Sequence, residues 1–300
     1  MNSAGNALED LVYRFIATVA VVLPDDVSNK LLELARMENS PYGKIIYNAV
    51  LRNNELARSR KLPLCQDTGT PEFQVAFGEG FKHKEELLAA IRKAVAKATL
   101  NGFLRPNAVD PVYNKNTGDN MGRILPWIDV ELVPRSSDAV VQLYLAGGGS
   151  TRASGAVVVD PADGWEGVFR FILELIAEKG MYTCPPLMVL GVGVGPTISI
   201  ATRLSKKALL RPLGARSPDP WVSEMELALE KAINKLGIGP QGLGGAGSVG
   251  EVHIEYGERH PASMAVAVTT SCWALRKGQL IIRNDYSFDV TTHRGGLIDA

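Results

Sequence analysis

The spacing of apolar residues changes along this chain, and that change restricts the fold more than any other feature of the sequence. Over about the first sixty residues, apolar side chains recur every three or four positions, which is the repeat of a helix that buries one face. Three such stripes are present. They predict helices around residues 8–15, 27–34 and 42–58.

Short strands and helices alternate after this helical region. Residues 73–77 alternate in polarity, which predicts a strand, whereas residues 84–98 form a longer stretch with one charged face, which predicts a helix. Further strands are predicted at residues 127–133, 140–145, 187–192, 252–255, 265–269 and 279–283, and further helices at residues 165–179, 198–210 and 223–236.

The mixture of helices and strands predicts the fold class. We expect α/β, or mixed α+β, with a helical N-terminal region and mixed sheets. The sequence contains no internal repeat, no low-complexity tract and no segment that reads as a linker. One compact domain over residues 1–300 is therefore the simplest division, and a chain of this length has a sizeable core.

The charge balance and the cysteine count exclude some classes of protein. The chain has 32 basic and 32 acidic side chains, whereas a dedicated nucleic-acid binder usually has a strong basic excess. No stretch approaches the roughly 20 consecutive apolar residues of a membrane-spanning helix, and the N-terminus carries no basic leader. Three cysteines, an odd and sparse set, suit a reducing compartment. We therefore expect a cytoplasmic protein that binds neither nucleic acid nor membrane.

A glycine motif late in the chain raises the question of nucleotide binding. Gly242, Gly244 and Gly247 have the spacing G-x-G-x-x-G. A dinucleotide-binding motif follows a strand and opens a helix, so that the pyrophosphate lies at the helix N-terminus. Here the glycines follow a predicted helix and lead into a predicted strand. This context disfavours a nicotinamide-dependent dehydrogenase.

The three cysteines are the main candidates for a functional site. Cys65, Cys184 and Cys272 lie in loops or at strand edges, where sites are usually built. Taken singly, each could be a small buried apolar residue. Taken together, three thiolates without a fourth suit an iron–sulfur cluster with one iron left open as a Lewis acid. Zinc is the competing metal, although the paired cysteine spacing typical of zinc sites is missing from the sequence.

The histidines and one loop arginine are further candidates. His83 lies on a charged predicted helix and is interpreted as solvated, whereas His253 lies within an alternating strand and is interpreted as structural. His260, in a turn, is a candidate functional histidine. Arg105, in a loop, has the chemistry to hold a carboxylate through two hydrogen bonds, and its alternative interpretation is a surface arginine.

Six short segments stand out as an ordered set along the chain. They are Leu64-Cys65-Gln66-Asp67-Thr68-Gly69, Asn116-Thr117-Gly118, Ala146-Gly147-Gly148-Gly149, Cys184-Pro185-Pro186, Lys206-Lys207-Ala208-Leu209-Leu210-Arg211-Pro212 and Leu236-Gly237-Ile238-Gly239-Pro240-Gln241-Gly242. Together they resemble the iron–sulfur hydro-lyase family, which contains the class I fumarases and the L(+)-tartrate dehydratases. The likeness runs from about Pro24 to the C-terminus.

The resemblance implies a cofactor and a set of site residues. Cys65, Cys184 and Cys272 would bind three irons of a [4Fe-4S] cluster, with the fourth iron open for substrate. Asp67 and His260 would be catalytic, and Asp67 would polarise a base supplied by the other half of the enzyme. The residues that match dicarboxylate-contacting positions of fumarases in this family are Gln66, Asp67, Arg105, Gly148 and His260.

The resemblance also implies a partner. In this family the second half of the enzyme is either a fused C-terminal domain or a separate beta subunit. A chain of 300 residues corresponds to the cluster-binding half, the alpha subunit. We therefore expect a beta subunit that completes the active site, in a heteromer such as an α2β2 heterotetramer.

Two segments resemble the tartrate dehydratase alpha subunits more than the fumarases. They are residues 211–220 and Arg259-His260-Pro261, the latter continued by Ser271-Cys272-Trp273-Ala274. The segment Ser150-Thr151-Arg152-Ala153 departs from both branches, since fumarases usually have Glu-Asn after the triple glycine and serine, and tartrate enzymes tend to have cysteine in place of Ser150. The expected reaction is dehydration of L(+)-tartrate to oxaloacetate and water. The alternative is interconversion of fumarate and L-malate.

Overall fold

Helices and strands intermix throughout the chain, which confirms the predicted α/β class and its mixed sheets. The computed structural model describes residues 3–300, with side chains from residue 5 onward. The chain forms two units, each around its own sheet. Unit 1 comprises the residues up to Asp25, Asn53–Gly147 and Arg276–Ala300, and unit 2 comprises Asp26–Arg52 and Gly148–Leu275. The single domain expected over residues 1–300 stays a prediction.

All seven predicted helices are present, and three of them form the expected helical N-terminal region. The first predicted apolar stripe is buried, and so is the second apart from Leu32. The third stripe is not: Ile45 and Ala49 are exposed, and the third helix buries Tyr47 and Val50. No helix in the described range combines the length and apolarity that crossing a membrane requires. The helices are α1 (Ser3–Val21), α2 (Asp25–Met37), α3 (Pro41–Arg60), α4 (Lys84–Leu100), α5 (Gly164–Lys179), α6 (Ile198–Leu210) and α7 (Pro220–Asn234).

The seven predicted strands are also present, together with four that the sequence did not predict. Three of those four have only two or three residues, and the fourth, Gly155–Val159, is a partly exposed edge strand. The strands are β1 (Thr70–Gly78), β2 (Val109–Asp110), β3 (Lys115–Asn116), β4 (Trp127–Val133), β5 (Ala139–Ala146), β6 (Gly155–Val159), β7 (Leu187–Gly195), β8 (Val249–Tyr256), β9 (Met264–Thr270), β10 (Lys277–Ile282) and β11 (Phe288–Val290).

Unit 1 is built on a five-stranded sheet in the order β11-β10-β5-β1-β4. β1 pairs with β4 in parallel, and the other neighbours are antiparallel. Apolar side chains of α1 and α4, among them Phe15 and Ile91, form one core with those of the sheet, such as Phe73. Gly278 of β10 permits the close approach of α1, because a Cβ there would lie 2.5 Å from the Val19 side chain. The buried side chains of β1 are thus fixed in this core.

Unit 2 is built on a four-stranded sheet in the order β6-β9-β7-β8. β7 is buried along its whole length, and β9 runs antiparallel to it. α6 lies directly on β7 because two positions of that strand lack side chains. A Cβ on Gly193 would lie 1.9 Å from the Ala201 carbonyl oxygen, and one on Gly191 would lie 2.2 Å from that of Ser205.

The G-x-G-x-x-G segment lies in the loop between α7 and β8, as its context predicted. It therefore does not open a helix. Its three glycines have positive φ angles, and the loop packs against a buried carboxylate: a Cβ on the neighbouring Gly245 would lie 2.7 Å from Glu38 Oε1. The motif is thus a tight structural loop.

The prediction of a solvated His83 is wrong. The residue precedes α4 rather than lying within it, and its Nε2 lies 3.2 Å from the Asn284 carbonyl oxygen. Its ring also packs against Tyr286, with 4.7 Å between the ring centroids. Both partners are about two hundred residues away in sequence, so the local charge pattern gave no sign of these contacts.

Candidate active site

Residues 64–69 form the predicted loop between α3 and β1 in unit 1. Leu64 anchors this loop in the core: its N–H donates to a carbonyl of α1 at 2.9 Å, and its own carbonyl accepts from the Asn53 side chain at 2.8 Å. Cys65 is half-buried and Gln66 is exposed. The loop therefore presents its polar residues while its apolar end is held.

Asp67 is fixed by a turn that requires glycine. Its Oδ1 accepts a hydrogen bond from the Gly69 N–H at 2.9 Å. Gly69 has a φ of +81°, and a Cβ there would lie 2.6 Å from the carbonyl carbon of Leu145. Positive φ and such a close backbone contact both exclude a side chain. The Asp67 carboxylate therefore has a fixed position just before β1.

Arg105 lies on a second loop of unit 1, which is tied to the Asp67 loop. The Arg105 N–H donates to Thr68 Oγ1 at 2.8 Å, and the Asn107 side-chain amide donates to the Gly69 carbonyl at 3.1 Å. The Arg105 side chain is exposed. Unit 1 therefore brings three of the predicted substrate-binding residues onto two connected loops. These residues are Gln66, Asp67 and Arg105.

Asn120 supports the Arg105 loop, a role that the sequence did not predict. The residue is buried and uses all four hydrogen-bonding positions of its amide. Its Oδ1 accepts from the N–H groups of Asn107 at 2.8 Å and Ala108 at 3.1 Å. Its Nδ2 donates to Thr99 Oγ1 at 2.9 Å and to the Arg105 carbonyl at 2.7 Å. The sequence shows only a polar turn here, so no local signal identifies this support.

Cys184 and Cys272 lie at the same end of the unit 2 sheet. Cys184 precedes β7 and Cys272 follows β9, and these strands are antiparallel neighbours. The Trp273 N–H donates to the Cys184 carbonyl at 3.3 Å, and Ser271 Oγ accepts from the Val189 N–H at 2.9 Å. Cys184 is exposed, with a left-handed backbone, and Cys272 is half-buried. Unit 2 thus brings together two of the three predicted cluster ligands.

The turn that begins at Gly148 lies beside Cys184. A Cβ placed on Gly149 would lie 4.0 Å from the Cys184 sulfur. The buried Thr270 donates through its hydroxyl to the Ser150 carbonyl, which fixes this turn to the end of β9. The triple-glycine segment is therefore close to the cysteine pair of unit 2.

His260 stands at the other end of β9. It lies in the exposed turn between β8 and β9, and its Nδ1 accepts from the Ala262 N–H at 3.1 Å. It precedes β9 whereas Cys272 follows it, so the seven residues of that strand, with a rise of roughly 20 Å, separate the two turns. Its roles in substrate binding and catalysis stay predictions.

His253, in contrast, is fully buried, and its Nε2 lies 3.0 Å from Glu251 Oε2, which agrees with a structural role.

The three cysteines supply the donor atoms that an iron–sulfur cluster uses. All three cysteines belong to the described part of the chain, and none of them is in a disulfide. Across residues 3–300, no three side chains of His, Cys, Asp or Glu form a group that could hold a metal ion. Thiolates are the usual ligands of iron–sulfur clusters, so the three cysteines are suitable donors for one. Convergence of Cys65, in unit 1, with Cys184 and Cys272 stays a prediction.

Comparisons with known proteins cover nearly the whole chain. The profile of the fumarate hydratase (Fumerase) family matches residues 9–281. L(+)-tartrate dehydratase subunit alpha of Escherichia coli (strain K12) is 43% identical over 290 residues, or 97% of this chain and 95% of that protein. A putative L(+)-tartrate dehydratase subunit alpha of Methanocaldococcus jannaschii is 37% identical over 282 residues, or 93% of this chain and 98% of that protein.

Proposed function

Because the chain belongs to the fumarate hydratase (Fumerase) family, we propose that it is the alpha subunit of a hydro-lyase that dehydrates L(+)-tartrate. The observation that carries the proposal is the 43% identity, over 97% of the chain, to an L(+)-tartrate dehydratase subunit alpha. Loss of water from tartrate gives an enol that tautomerises to oxaloacetate. The reaction transfers no electrons to or from the substrate, so it needs no redox partner.

The loops of unit 1 carry the groups that would hold the substrate. The exposed Arg105 guanidinium has the geometry to bind one carboxylate through two parallel hydrogen bonds. The exposed amide of Gln66, on the connected loop, offers both donors and an acceptor. Gly148 and His260 are the further contacts that we propose. In support, the backbone of both unit 1 loops is fixed before any substrate arrives.

Asp67 would assist the step in which a base removes the proton from the substrate. The proton next to a carboxylate is only weakly acidic, so a base must remove it and cationic groups must stabilise the charge that develops. We propose that Asp67 polarises a base supplied by the beta subunit. Its carboxylate is already oriented by the Gly69 N–H, so it would need no reorganisation during the reaction.

Cys65, Cys184 and Cys272 would hold a [4Fe-4S] cluster, whose open iron supplies Lewis-acid assistance to the departing hydroxyl group. In support, Cys184 and Cys272 lie at one end of the same sheet. Both are on loops, so their sulfur atoms are not committed to an apolar core. Such a cluster also agrees with the reducing cytoplasm that we propose as the compartment.

A separate beta subunit is the proposed partner. The relatives are named as subunit alpha, which implies a second type of subunit, and the chain covers 95% of the E. coli relative. The beta subunit would contribute the base and further cationic residues. An α2β2 heterotetramer is the stoichiometry that we propose.

Fumarate hydration is the second candidate activity. The matching family is described as fumarate hydratase, and a hydro-lyase of this kind has the same chemical task with L-malate as with tartrate: to remove a hydroxyl group and a proton from adjacent carbons. The two candidates differ only in the substituents of the carbon skeleton. Steady-state kinetics on both substrates therefore decide between them.

The test is a paired turnover assay on the complex with its beta subunit, purified without oxygen. We expect kcat/KM for L(+)-tartrate to exceed that for L-malate and for fumarate. The Cys272→Ser complex serves as the inactive control. If fumarate hydration exceeds tartrate dehydration by orders of magnitude, the protein is a fumarase subunit; activity on none of the three substrates would refute both candidates.

A further inference from the structure

Arg276 is the largest of the fully buried side chains and stands next to the Asp67 loop. Only 2% of its surface is exposed. Both residues belong to unit 1, and the Arg276 Nη1 donates a hydrogen bond to the Asp67 carbonyl oxygen. The Arg276 carbonyl in turn accepts from the Leu145 N–H at 3.0 Å, which fixes the backbone at the start of β10. The guanidinium is therefore held beside the loop that carries Cys65, Gln66 and Asp67.

The contacts of this guanidinium do not balance its charge. Arginine stays protonated in proteins, and a buried charge is costly unless it is paired. The Arg276 Nε is enclosed and has no hydrogen-bond partner in the described part of the chain. Its Nη1 has a neutral carbonyl as acceptor. A buried positive charge that forms no ion pair with the residues described in the structure thus lies directly behind the loop.

Other partly buried arginines of the chain are paired with carboxylates. Arg211 forms an ion pair with the fully buried Glu226, and Arg216 lies 2.5 Å from Glu230. Both of these arginines are more exposed than Arg276. The most deeply buried guanidinium is therefore the one whose acceptor is neutral. This contrast indicates that its counter-charge is an anion bound to the loop.

We propose that Arg276 is a positioning residue whose charge stabilises a dicarboxylate bound on the Asp67 loop, acting through the loop rather than by contact. The inference rests on the proposed function. A dicarboxylate carries two negative charges, and Arg105 on the exposed side accounts for one cation. Arg276 supplies the second positive charge from the buried side of the loop. There the low dielectric of the core keeps the electrostatic field of the guanidinium strong. Because the effect is electrostatic, it depends on the ligand charge.

The experiment measures ligand affinity by calorimetry on the complex with the beta subunit, purified without oxygen. The probes are succinate, which has both carboxylates but no hydroxyl group to eliminate, and succinamate, in which an amide replaces one carboxylate. The variants are Arg276→Gln, which removes the charge, and Arg276→Lys, which keeps it. Arg294→Gln is the matched control, since Arg294 is an exposed arginine of the same unit.

We expect Arg276→Gln to weaken succinate binding by about tenfold or more and succinamate binding by only about threefold, since halving the ligand charge halves the electrostatic free energy. Arg276→Lys should keep succinate binding within about threefold of wild type, and Arg294→Gln should not change it. A purely structural role predicts equal losses for both ligands, and that result would overturn the proposal.

Four further outcomes are decisive. Unchanged succinate binding in Arg276→Gln overturns the inference while the proposed function stands. An altered visible spectrum of that variant with normal succinate affinity also overturns the inference, because the charge of Arg276 then acts on the cluster and not on the ligand. If Arg276→Gln fails to fold, Arg276→Lys decides: loss of succinate binding in that variant overturns the proposal. Failure of the wild-type complex to bind succinate or to turn over tartrate instead contradicts the proposed function itself.

Discussion

Trp273 donates a backbone hydrogen bond of 3.3 Å to Cys184, and this bond joins the two segments that carry the cysteines of unit 2. Each cysteine is presented just outside a strand, Cys184 before β7 and Cys272 after β9. Neither side chain belongs to the apolar core. A change of the sulfur atom should therefore affect the site and leave the sheet intact.

Replacement of any one cysteine by serine is expected to abolish activity in a folded protein. Cys65→Ser, Cys184→Ser and Cys272→Ser should each lower kcat for L(+)-tartrate by more than about a hundredfold, since even outer-shell changes at metal sites cost about 10–100-fold. Circular dichroism should match wild type, whereas the broad visible absorbance of the anaerobic complex should fall. A serine variant with full absorbance and full activity would remove that cysteine from the proposed cluster.

Loss of the Arg105 side chain is expected to weaken substrate binding more than catalysis. Arg105→Ala should raise KM for L(+)-tartrate by roughly thirtyfold, the equivalent of about 2 kcal/mol for hydrogen bonds to a charged group. Arg105→Lys should recover part of the loss, because it keeps the charge but not the paired geometry. Arg123→Ala, at an exposed arginine of the same unit, is the control. Equal KM values for Arg105→Ala and Arg123→Ala would make Arg105 a surface residue.

The charge of Asp67 is expected to matter for the chemical step. Asp67→Asn keeps an oxygen that can accept from Gly69, so the turn should persist. Loss of the carboxylate should nevertheless lower kcat by about a hundredfold or more, the range of general acid–base contributions. KM should change less than kcat. A near-normal kcat in this variant would refute the proposal that Asp67 polarises the base.

Asn120 is expected to stabilise unit 1 and the Arg105 loop together. Asn120→Asp keeps both acceptor bonds but replaces the amide donor that faces the Arg105 carbonyl by a second oxygen. We expect a loss of about 2 kcal/mol in the free energy of unfolding, measured by urea denaturation, and a higher KM for L(+)-tartrate. Asn114→Asp is the matched control, because Asn114 also has a positive φ but is exposed. If the two variants are equally stable, Asn120 does not hold the loop.

Much of the fold follows from local patterns in the sequence. Helices such as α6 have a regular apolar stripe, and strands such as β7 are continuous apolar runs, so periodicity alone identifies them. Short pairings such as β2 with β3 have too few residues to show a period. The edge strand β6 has the sequence Gly-Ala-Val-Val-Val, which does not alternate in polarity. Sequence patterns therefore predict the core elements and miss the short pairings.

The candidate site was only partly predictable, for a different reason. Cys65 and Arg105 stand in loops with recognisable chemistry, which is why the sequence pointed to them, whereas Asp67 was identified through the family resemblance. Arg276 has no local signal, since its contact with Asp67 spans 209 residues of sequence. Asn120 likewise gains its role only through bonds to distant backbone groups. Supporting residues act through tertiary contacts, which spacing along the chain does not contain.

The carboxyl group of Glu251 makes the folding stability of unit 2 depend on pH. Burial alone would raise the pKa of this carboxyl, but hydrogen bonds from His253 and from the Gly214 N–H lower it from 4.5 to about 2. Lys30 adds an ion pair at 3.3 Å. A carboxyl whose pKa is lower in the folded than in the unfolded chain stabilises the fold above the unfolded value. That stability is lost as the pH falls from about 4.5 through about 2.

Glu251→Gln is therefore expected to cost stability at neutral pH but not in acid. At pH 7 the free energy of unfolding of the variant should be about 2 kcal/mol lower than that of wild type, because the charged partners of Glu251 lose their counter-charge. The difference should shrink as the pH is lowered from 5 towards 2. Thermal melts across this range test the expectation, with the exposed Glu258→Gln as control. If the difference in stability between Glu251→Gln and wild type stays constant down to pH 2, the substitution acts through packing and not through charge.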